Sequence, residues 1–369
     1  MTNFHGGISE LKRRNNKILY IQVNRMDSAS VRSTLFRALY RKNGYKVTYC
    51  SFDLWNNYAF SRFLQTILPP FLYRWAVTPV ARFISVVYQY LVLHWLVRFY
   101  DGIVIMKFFS FETVKLIREH TRAKLLYDFD DSIWNKLNRP LLKDYDRILG
   151  LVDAVSVDNR YLYDEAIKYN PKVFIFPPPA QFEDLPPKPD RPVRDQVVIG
   201  WIGSPATSYY LYSVYYALEK IGKKYPHVKL IVAGFSFPVL PLFENIEWQV
   251  IPRYDSAVMN RLRREIDIGI FPLFECEDAV ARGLCKPVIY MGASIPVVAS
   301  RFGLVDGLIR DGENGFLCKT EAEWEDKLSR LIEDADLRKK IGDAGFETVR
   351  KYSLQYCFSL LEDNFLKTL

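Results

Sequence analysis

Short apolar runs alternate with amphipathic segments along the first half of the chain. Six runs have the length and composition of buried strands: Lys17–Val23, Tyr45–Cys50, Gly102–Met106, Lys124–Tyr127, Ala154–Val157 and Val173–Phe176. Helical spacing occurs between them: Ser30–Lys42, Glu112–His120, Asp146–Leu151 and Asn159–Lys168. Strands and helices in this order predict a parallel sheet with crossover helices.

The same alternation restarts after a proline-rich segment. Residues 177–192 hold seven prolines in sixteen positions. Proline has no backbone N–H and a fixed φ, so we predict a linker, with bounds at 181–196. Five strands are predicted beyond it: Val197–Ile202, Lys229–Ala233, Ile246–Ile251, Ile268–Phe271 and Pro296–Ala299. The helices are Ser208–Lys223, Val258–Glu265, one ending near Met291, one capped by Thr320 and Glu323, and Asp336–Lys351.

This organisation predicts two α/β domains, at 1–180 and 197–352. Each would present the carboxyl ends of its parallel strands to a cleft between the domains. Ligands bind at such edges in open α/β sheets.

The turn after the strand Val197–Ile202 is the clearest binding feature. Gly203 lets a ligand approach the backbone, Ser204 suits a helix N-cap, and Pro205 suits the first helical position. Free amides and the helix dipole then favour phosphate. A glycine–serine turn without a ligand is the alternative.

Two cations four residues apart, Arg282 and Lys286, are the second feature. On a helix they would share one face, and there they would neutralise a diphosphate leaving group. Two ordinary surface cations are the alternative. Downstream, Asp311–Gly312 and Asn314–Gly315 are turn signals.

Composition and charge limit the classes of partner that this protein is expected to bind. Apolar residues make up 49% and the net charge is +8, which favours an anionic partner such as nucleic acid, a phosphorylated ligand or an acidic lipid surface. No RNA- or DNA-binding module is recognisable, so nucleic acid is rejected as a partner.

The cysteines and histidines give further expectations. Five scattered cysteines fit a reducing cytosol, and four dispersed histidines lack the spacing of a zinc site. No signal peptide is visible. We therefore expect a cytoplasmic protein.

An aromatic segment at 67–99 indicates membrane contact. Its longest uncharged stretch, Phe83–Val97, covers about 15 residues, short of the roughly 20 that a spanning helix needs. Arg74, Arg82 and Arg98 interrupt the apolar run as in helices that lie on a membrane surface. The alternative is two buried helices of the first domain.

Four motifs in register carry a family resemblance over residues 197–353. They are G-W-I-G-S-P-x-T-x-x-Y-L from Gly200, D-I-G-I-x-P-L from Asp267, K-x-x-x-Y-M-x-x-x-I-P-V-V-A-S from Lys286 and D-G-x-N-G-F-L from Asp311. In this order they resemble the retaining family 4 glycosyltransferases with the GT-B fold. The resemblance implies two Rossmann-like domains facing across a cleft, with a last helix at 353–369 that crosses back to the first domain.

The resemblance also implies a reaction and its residues. The donor would be a nucleotide-sugar, UDP- or GDP-linked, transferred with retention and without an obligatory metal or other cofactor. The implied donor-binding set is Gly203, Ser204, Thr207, Glu277, Arg282, Lys286 and Tyr290.

An acidic cluster at the end of the fourth predicted strand resembles the D-x-D-D-x-x-W segment of the polysaccharide- and lipopolysaccharide-type members. Asp128, Asp130 and Asp131, together with Lys286, form the candidate catalytic set. A carboxylate there would accept the acceptor hydroxyl's proton or fix the acceptor. The alternatives are a metal site and an Asx-capped turn. Topology places three acceptor-binding candidates in the same cleft: Asn24, Ser30 and Arg32.

The sequence departs from the family pattern in two places. Tyr209 stands where relatives often have lysine. The family's pair of glutamates, of which the second contacts the donor ribose, aligns with Ala281 and Ile289. A shifted loop would offer Glu275, Glu277 or Asp278 instead.

Two functions follow. The first is a glycosyltransferase on the inner face of the cell membrane, acting on a glycan or lipid-linked acceptor of a bacterial surface polysaccharide. The second is a catalytically degenerate partner or scaffold of an active transferase.

Overall fold

A computed structural model describes residues 16–22, 35–51, 78–107, 109–132, 144–179, 196–234, 243–252 and 256–369. Its strands form two six-stranded sheets in which every pairing is parallel. The prediction of two parallel α/β sheets is therefore confirmed. The predicted linker at 181–196 and the acceptor candidates Asn24, Ser30 and Arg32 lie outside the described residues, save Gln196.

The first sheet has the order β2-β1-β3-β4-β5-β6. Its strands are β1 Lys17–Gln22, β2 Lys46–Ser51, β3 Gly102–Met106, β4 Lys124–Phe129, β5 Ala154–Val157 and β6 Val173–Ile175. Its helices are α1 Arg37–Lys42, α2 Thr78–His94, α3 Phe111–His120, α4 Tyr145–Leu151 and α5 Arg160–Ala166, and a 3₁₀ turn spans Leu96–Phe99. Of the predicted helix Ser30–Lys42, the described part begins only at Leu35.

The second sheet has the order β12-β11-β10-β7-β8-β9. Its strands are β7 Val197–Ile202, β8 Val228–Ala233, β9 Glu247–Ile251, β10 Ile268–Phe271, β11 Val297–Ser300 and β12 Phe316–Cys318. Its helices are α6 Tyr215–Lys224, α7 Ser256–Glu265, α8 Glu277–Val280, α9 Cys285–Gly292, α10 Glu321–Glu333 and α11 Ala335–Val349. The predicted capping box holds: Thr320 Oγ1 accepts from Glu323 N, and Glu323 Oε2 accepts from Thr320 N, each at 3.3 Å.

Strand order fixes where each sheet can bind a ligand. The chain changes direction between β1 and β3 in the first sheet, and between β7 and β10 in the second. Neighbouring loops diverge at such a switch point and leave a crevice outside the carboxyl ends of the strands. Functional side chains are therefore expected just after β1 and β3 on one side, and after β7 and β10 on the other, although the residues that follow β1 lie outside the described part.

The last helix belongs to the first sheet. α12 (Leu354–Asn364) buries Phe358 and Leu361 in one apolar cluster with Tyr20 of β1 and Phe36 and Tyr40 beside α1. The Phe358 ring lies 5.2 Å from that of Tyr40 in an edge-to-face arrangement. The prediction that the C-terminal helix crosses back to the first domain is confirmed.

Two helix predictions in the second half were wrong in form. The predicted helix Ser208–Lys223 is a 3₁₀ segment, Pro205–Val214, followed by α6. The aromatic run through Tyr209, Tyr210 and Tyr212 packs poorly into a regular α-helix because aromatic side chains lose rotamer freedom there. A helix that included both Arg282 and Lys286 would place them on one face. Because α9 begins only at Cys285, Arg282 lies before the helix and the two cations do not share a helical face.

The aromatic segment is described from Thr78 onward. α2 packs on α3 through buried Val92 and Leu93, and His94 Nδ1 lies 2.9 Å from His120 Nε2. Six large side chains of α2 and of the turn that follows it are 40% to 62% exposed: Ile84, Val87, Tyr90, Leu91, Trp95 and Phe99. The described part of the segment thus has one side packed in the core of the first domain and another side exposed. Among the described helices, none has the length and hydropathy needed to cross a bilayer.

Candidate functional site

Charged side chains from both sheets meet where the carboxyl ends of the strands face each other. Lys107 follows β3, Asp130 and Asp131 follow β4, and Arg282 comes from the loop between β10 and α9. We call these four residues the cleft ion cluster. Asp130 and Asp131 are neighbours in sequence, but Lys107 and Arg282 are distant, so no local pattern indicates the whole group.

Lys107 has an unusual backbone. Its φ of 61° lies in the left-handed region, which costs a non-glycine residue about 1 kcal/mol. Hydrogen bonds hold it there: its N–H donates to the Asp128 carbonyl at 2.8 Å, and its carbonyl accepts from the Tyr127 hydroxyl and from Phe109 N. Strain of this kind is found at functional sites. Sequence reasoning missed Lys107, because a lysine at a strand end carries no motif.

Lys107 neutralises the two aspartates. Its Nζ lies 2.7 Å from Asp130 Oδ1 and 3.4 Å from Asp131 Oδ2, and its side chain is almost fully buried. Arg282 Nη1 reaches Asp131 Oδ1 at 3.4 Å from the other domain. Burial and the adjacent Asp130 carboxylate raise the pKa of Asp131, while Lys107 and Arg282 act in the opposite direction. Asp131 therefore has the environment of a carboxylate tuned toward a general base.

Close packing brings the Arg282 loop to the first domain. Ala281 is buried within the apolar cluster of the first sheet. A Cβ on Gly283 would lie 2.3 Å from Asp158 Oδ2, so a larger residue there would displace this carboxylate at the end of β5. These neighbours fix the backbone on both sides of Arg282.

Asp128 is placed apart from the other two aspartates. Side chains alternate along β4, and Asp128 points with Leu126 to the face covered by α12. There its Oδ1 accepts a hydrogen bond from Ser156 Oγ at 2.6 Å, and the side chain is only 3% exposed. Asp128 is therefore not a member of the cleft ion cluster and lines a small cavity beside Ser156 instead. Its catalytic role stays a prediction.

The predicted phosphate turn lies at the carboxyl end of β7. Gly203 N donates to the Ala233 carbonyl, and Ser204 N donates to Thr207 Oγ1 at 3.0 Å. A Cβ on Gly203 would overlap the Trp201 indole, so this glycine is required by packing as well as by any ligand approach. The 3₁₀ segment begins here with Pro205 near its first position.

Tyr290 was assigned to donor binding, and its environment contradicts that role. The side chain is 1% exposed and its ring packs against Gly269. Its hydroxyl donates to the Gly200 carbonyl at 3.0 Å and accepts from Ile202 N at 2.7 Å. Tyr290 cannot touch a ligand, but it fixes the strand that leads into the Gly203 turn.

Aromatic side chains connect the 3₁₀ segment after β7 with the loop after β10. The Arg282 guanidinium lies 5.8 Å from the centre of the Tyr210 ring. Tyr209 stacks on Phe274, which follows β10, with ring centres 6.3 Å apart and planes 7° from parallel. Tyr209 thus takes an aromatic role where the family pattern has lysine. Sequence reasoning missed Tyr210 and Phe274, although their position beside the β7–β10 switch point follows once the strand order is known.

The remaining candidates for donor binding differ in their burial and in their position in the fold. Lys286 is half-buried in the first turn of α9. Glu277 begins α8, and its side chain lies outside the described part. Ile289 and Ala281, which occupy the positions of the family glutamates, are both buried. Glu275 is exposed in the loop after β10.

The three carboxylates of the D-x-D-D segment have different partners, since Asp130 and Asp131 contact Lys107 whereas Asp128 accepts a hydrogen bond from Ser156. Within the part of the chain that the structure describes, no three or more histidine, cysteine, aspartate or glutamate residues are grouped as metal ligands would be.

Comparison with known proteins shows what this chain is similar to. Residues 196–334 match the family model described as glycosyl transferases group 1, which is the region of the second sheet. The uncharacterized glycosyltransferase MJ1178 of Methanocaldococcus jannaschii is 35% identical over 69 residues, which cover 18% of this chain and 20% of the relative. The match thus spans a fifth of that relative's length.

Solved structures match nearly the whole chain. A Rickettsia africae glycosyltransferase has a TM-score of 0.63 at 15% identity, covering 95% of this chain and 99% of its own. Thermosynechococcus elongatus sucrose-phosphate synthase has a TM-score of 0.65 at 12% identity, covering 96% and 99%. The fold is GT-B. The Anabaena protein Alr3699/HepE, solved with UDP-glucose, also has a TM-score of 0.65, at 15% identity over 96% of this chain and 100% of its own.

Proposed function

We propose that the protein transfers a sugar from a UDP- or GDP-linked donor to a glycan or lipid-linked acceptor, with retention at the anomeric carbon. The observation that carries the proposal is the contact of Asp131 with Arg282 across the GT-B cleft. It sets a carboxylate that can act on a hydroxyl beside a cation that can hold a leaving diphosphate. The match of residues 196–334 to group 1 glycosyltransferases supports this assignment.

The donor would lie against the second sheet. The amino end of the 3₁₀ segment after Ser204 carries a partial positive charge that favours phosphate, and Arg282 and Lys286 supply two positive charges beside α9. The UDP-glucose bound by the Anabaena protein of the same fold supports a nucleotide-linked sugar. Together these groups would neutralise the charge that develops on the diphosphate during transfer.

The acceptor would approach from the first sheet. Its hydroxyl oxygen forms the new bond to the anomeric carbon on the face from which the diphosphate leaves, which retains the configuration. The bond from the anomeric carbon to the diphosphate breaks, and its electron pair stays on the diphosphate oxygen. Asp131 orients the hydroxyl and takes its proton. Arg282 and Lys286 supply the positive charge at the leaving group, so no obligatory metal is expected.

Activity can be tested on the purified chain with a panel of UDP- and GDP-sugars. We expect at least one donor to raise the melting temperature, since a ligand that binds only the folded state stabilises it by mass action. The same donor should release free nucleotide when glycan acceptors are added, with and without EDTA, and NMR of the product should show the donor's anomeric configuration. An inverted product would contradict the retaining mechanism.

One observation favours the second candidate, a degenerate partner or scaffold. Ala281 and Ile289 stand where the family glutamates would be, and both are buried apolar side chains. Neither can form a hydrogen bond to a ribose hydroxyl. The donor panel separates the two functions, because a scaffold would show no melting shift and no nucleotide release with any donor.

We further propose that the protein works on the inner face of the cell membrane in bacterial surface polysaccharide synthesis. The exposed apolar side of α2 supports contact with lipid. Phe99, in the 3₁₀ turn that follows α2, borders a surface groove that is also lined by Lys17 and Lys46. Adjacent apolar and cationic groups suit an anionic lipid surface.

Flotation with vesicles that contain anionic lipid tests the membrane assignment. The double variant Leu91→Ser/Trp95→Ser removes exposed apolar area from α2 and from the residue just after it, without touching the core. The matched control Tyr212→Ser/Tyr216→Ser removes exposed aromatic area from the second domain. We expect the first variant to lose binding and the control to keep it. Equal flotation of both variants would count against α2 as the membrane contact.

A further inference from the structure

Arg282 has two competing uses within the cleft. As the structure stands, its guanidinium contacts the Asp131 carboxylate of the first domain. The proposed donor site needs the same guanidinium for a diphosphate. A single cation cannot give its best hydrogen-bond geometry to both anions, so the two interactions must exclude or weaken each other.

The geometry of the Arg282–Asp131 pair allows a diphosphate to replace the carboxylate as the partner of Arg282. A strong arginine–carboxylate pair is bidentate, with two N–O distances near 2.8 Å. Here one contact, Arg282 Nη1 to Asp131 Oδ1, measures 3.4 Å, and both side chains remain partly exposed. Such a pair contributes little free energy. A diphosphate carries more charge and more acceptor oxygens than one carboxylate, so it would compete effectively for the guanidinium.

Arg282 is also placed to reach the donor side. The guanidinium lies over the Tyr210 ring, within the 3₁₀ segment that begins just after Ser204. The backbone beside Arg282 is held by buried Ala281 and by the contact of Gly283 with Asp158. Movement of Arg282 from Asp131 to the donor diphosphate therefore requires a change in its side chain alone, while its backbone stays in place.

Asp131 keeps one cation if Arg282 leaves. Lys107 Nζ stays between Asp130 and Asp131, held from the first domain alone. The cluster of two cations and two carboxylates then becomes one cation with two carboxylates. Loss of a neighbouring positive charge makes a carboxylate a stronger base. Departure of Arg282 would thus both uncover Asp131 for an acceptor hydroxyl and increase its affinity for a proton.

We propose that Arg282 is an exchange residue, which pairs with Asp131 in the donor-free protein and moves to the donor diphosphate when the donor binds. Donor binding thereby releases Asp131 for the acceptor. The proposal rests on the proposed transferase function, and it adds an order to the reaction, with the donor bound before the acceptor. It also assigns Lys107 as the positioning residue that holds Asp131 after Arg282 has left.

The exchange makes an unusual prediction for Asp131→Asn. If Asp131 competes for Arg282, its neutralisation should tighten the binding of UDP or GDP, whichever the wild type binds, and of inorganic pyrophosphate. We expect about threefold tighter binding, since partly exposed ion pairs contribute up to about 1 kcal/mol. The measurement is calorimetric titration of each ligand, with thermal unfolding of each variant to confirm folding.

Two further variants keep the test specific. Asp130→Asn removes the same charge from a carboxylate that contacts Lys107 rather than Arg282, so it should change affinity much less. In an Arg282→Met background, Asp131→Asn should have no effect on binding, because a double-mutant cycle isolates the coupling between two residues. Unchanged or weaker binding in Asp131→Asn, or equal tightening in Asp130→Asn, would overturn the exchange and leave the proposed function intact. Failure of the wild type to bind any of the three ligands would overturn both.

Discussion

The two sheets share parallel strands but differ at the edges that form the cleft. The second sheet presents the Gly203 turn, the 3₁₀ segment and two cations, Arg282 and Lys286. The first presents the carboxylates Asp130 and Asp131, with Lys107 held between them in a left-handed conformation. One edge is suited to an anionic ligand, and the other to activation of a hydroxyl.

The difference also concerns how each edge is built. Turns and helix starts of the second sheet depend on residues close in sequence, such as Gly203, Ser204 and Thr207. The first edge depends on contacts between separate strands, and on an arginine 151 residues away from its partner Asp131. In this protein one edge of the cleft is thus encoded by residues close in sequence, and the other is assembled by long-range contacts.

Asp131→Asn should produce the largest loss of activity. Loss of a general base reduces turnover by about a hundredfold to ten-thousandfold. Turnover with a fixed donor and acceptor measures the effect, and unfolding curves check the fold. Asp144→Asn, an exposed carboxylate before α4 in the same domain, is the matched control and should keep normal turnover. A fully active Asp131 variant would remove the functional contrast between the two edges.

Phe358→Ala should produce the largest loss of stability. The ring is fully buried between α12 and the first sheet, and Phe→Ala at such sites costs about 3–5 kcal/mol. Denaturant unfolding with a fluorescence signal gives the free energy. Tyr356→Ala on the exposed side of the same helix should cost far less. Equal effects would mean that α12 does not stabilise the first domain.

Lys286→Ala tests the cationic edge. Removing one group that stabilises transition-state charge costs about a hundredfold to a thousandfold in turnover. Stability should change little, because the side chain is only half-buried. Lys223→Ala on the exposed end of α6 is the control for a general loss of positive charge. Near-normal turnover in the Lys286 variant would contradict its role at the diphosphate.

Tyr290→Phe tests whether support of the Gly203 turn matters for binding. Removing the hydroxyl leaves Ile202 N and the Gly200 carbonyl without this partner, at a cost of about 1–3 kcal/mol in stability. Donor affinity should fall as well if the turn shifts. Loss of stability with unchanged affinity would show that the turn is held by other contacts.

Lys107→Met gives the smallest and most specific effect, on pH dependence. Asp131 must be ionised to accept a proton, so kcat/KM should fall as the pH falls through its pKa. Burial and Asp130 raise this pKa, and Lys107 lowers it. The acid limb of kcat/KM should therefore lie above the range of an ordinary aspartate and move to still higher pH in Lys107→Met. Lys107→Arg should return it toward the wild-type position, and a limb that stays fixed would contradict the assignment.

Much of the donor side could be predicted because its signals are local. The strand before Gly203, the Thr320–Glu323 capping box and the turns at Gly312 and Gly315 each depend on neighbours in sequence. Predictions failed where tertiary packing decides. The segment after Ser204 adopts a 3₁₀ form, and Tyr290 is withdrawn from the surface by its hydrogen bonds to β7.

On its own, the sequence determined the parallel strands, the two-domain organisation and the chemical types available to the cleft. Periodicity and turn chemistry are properties of short segments, so they survive without knowledge of the rest of the chain. The tertiary structure decided which of the three aspartates serve the cleft, since the alternation along β4 turns Asp128 toward α12 and leaves Asp131 beyond the strand. It also decided that Lys107 and Arg282 are their partners. The pairing of β3 with β4 brings Lys107 to the aspartates, and the packing of the two domains brings Arg282.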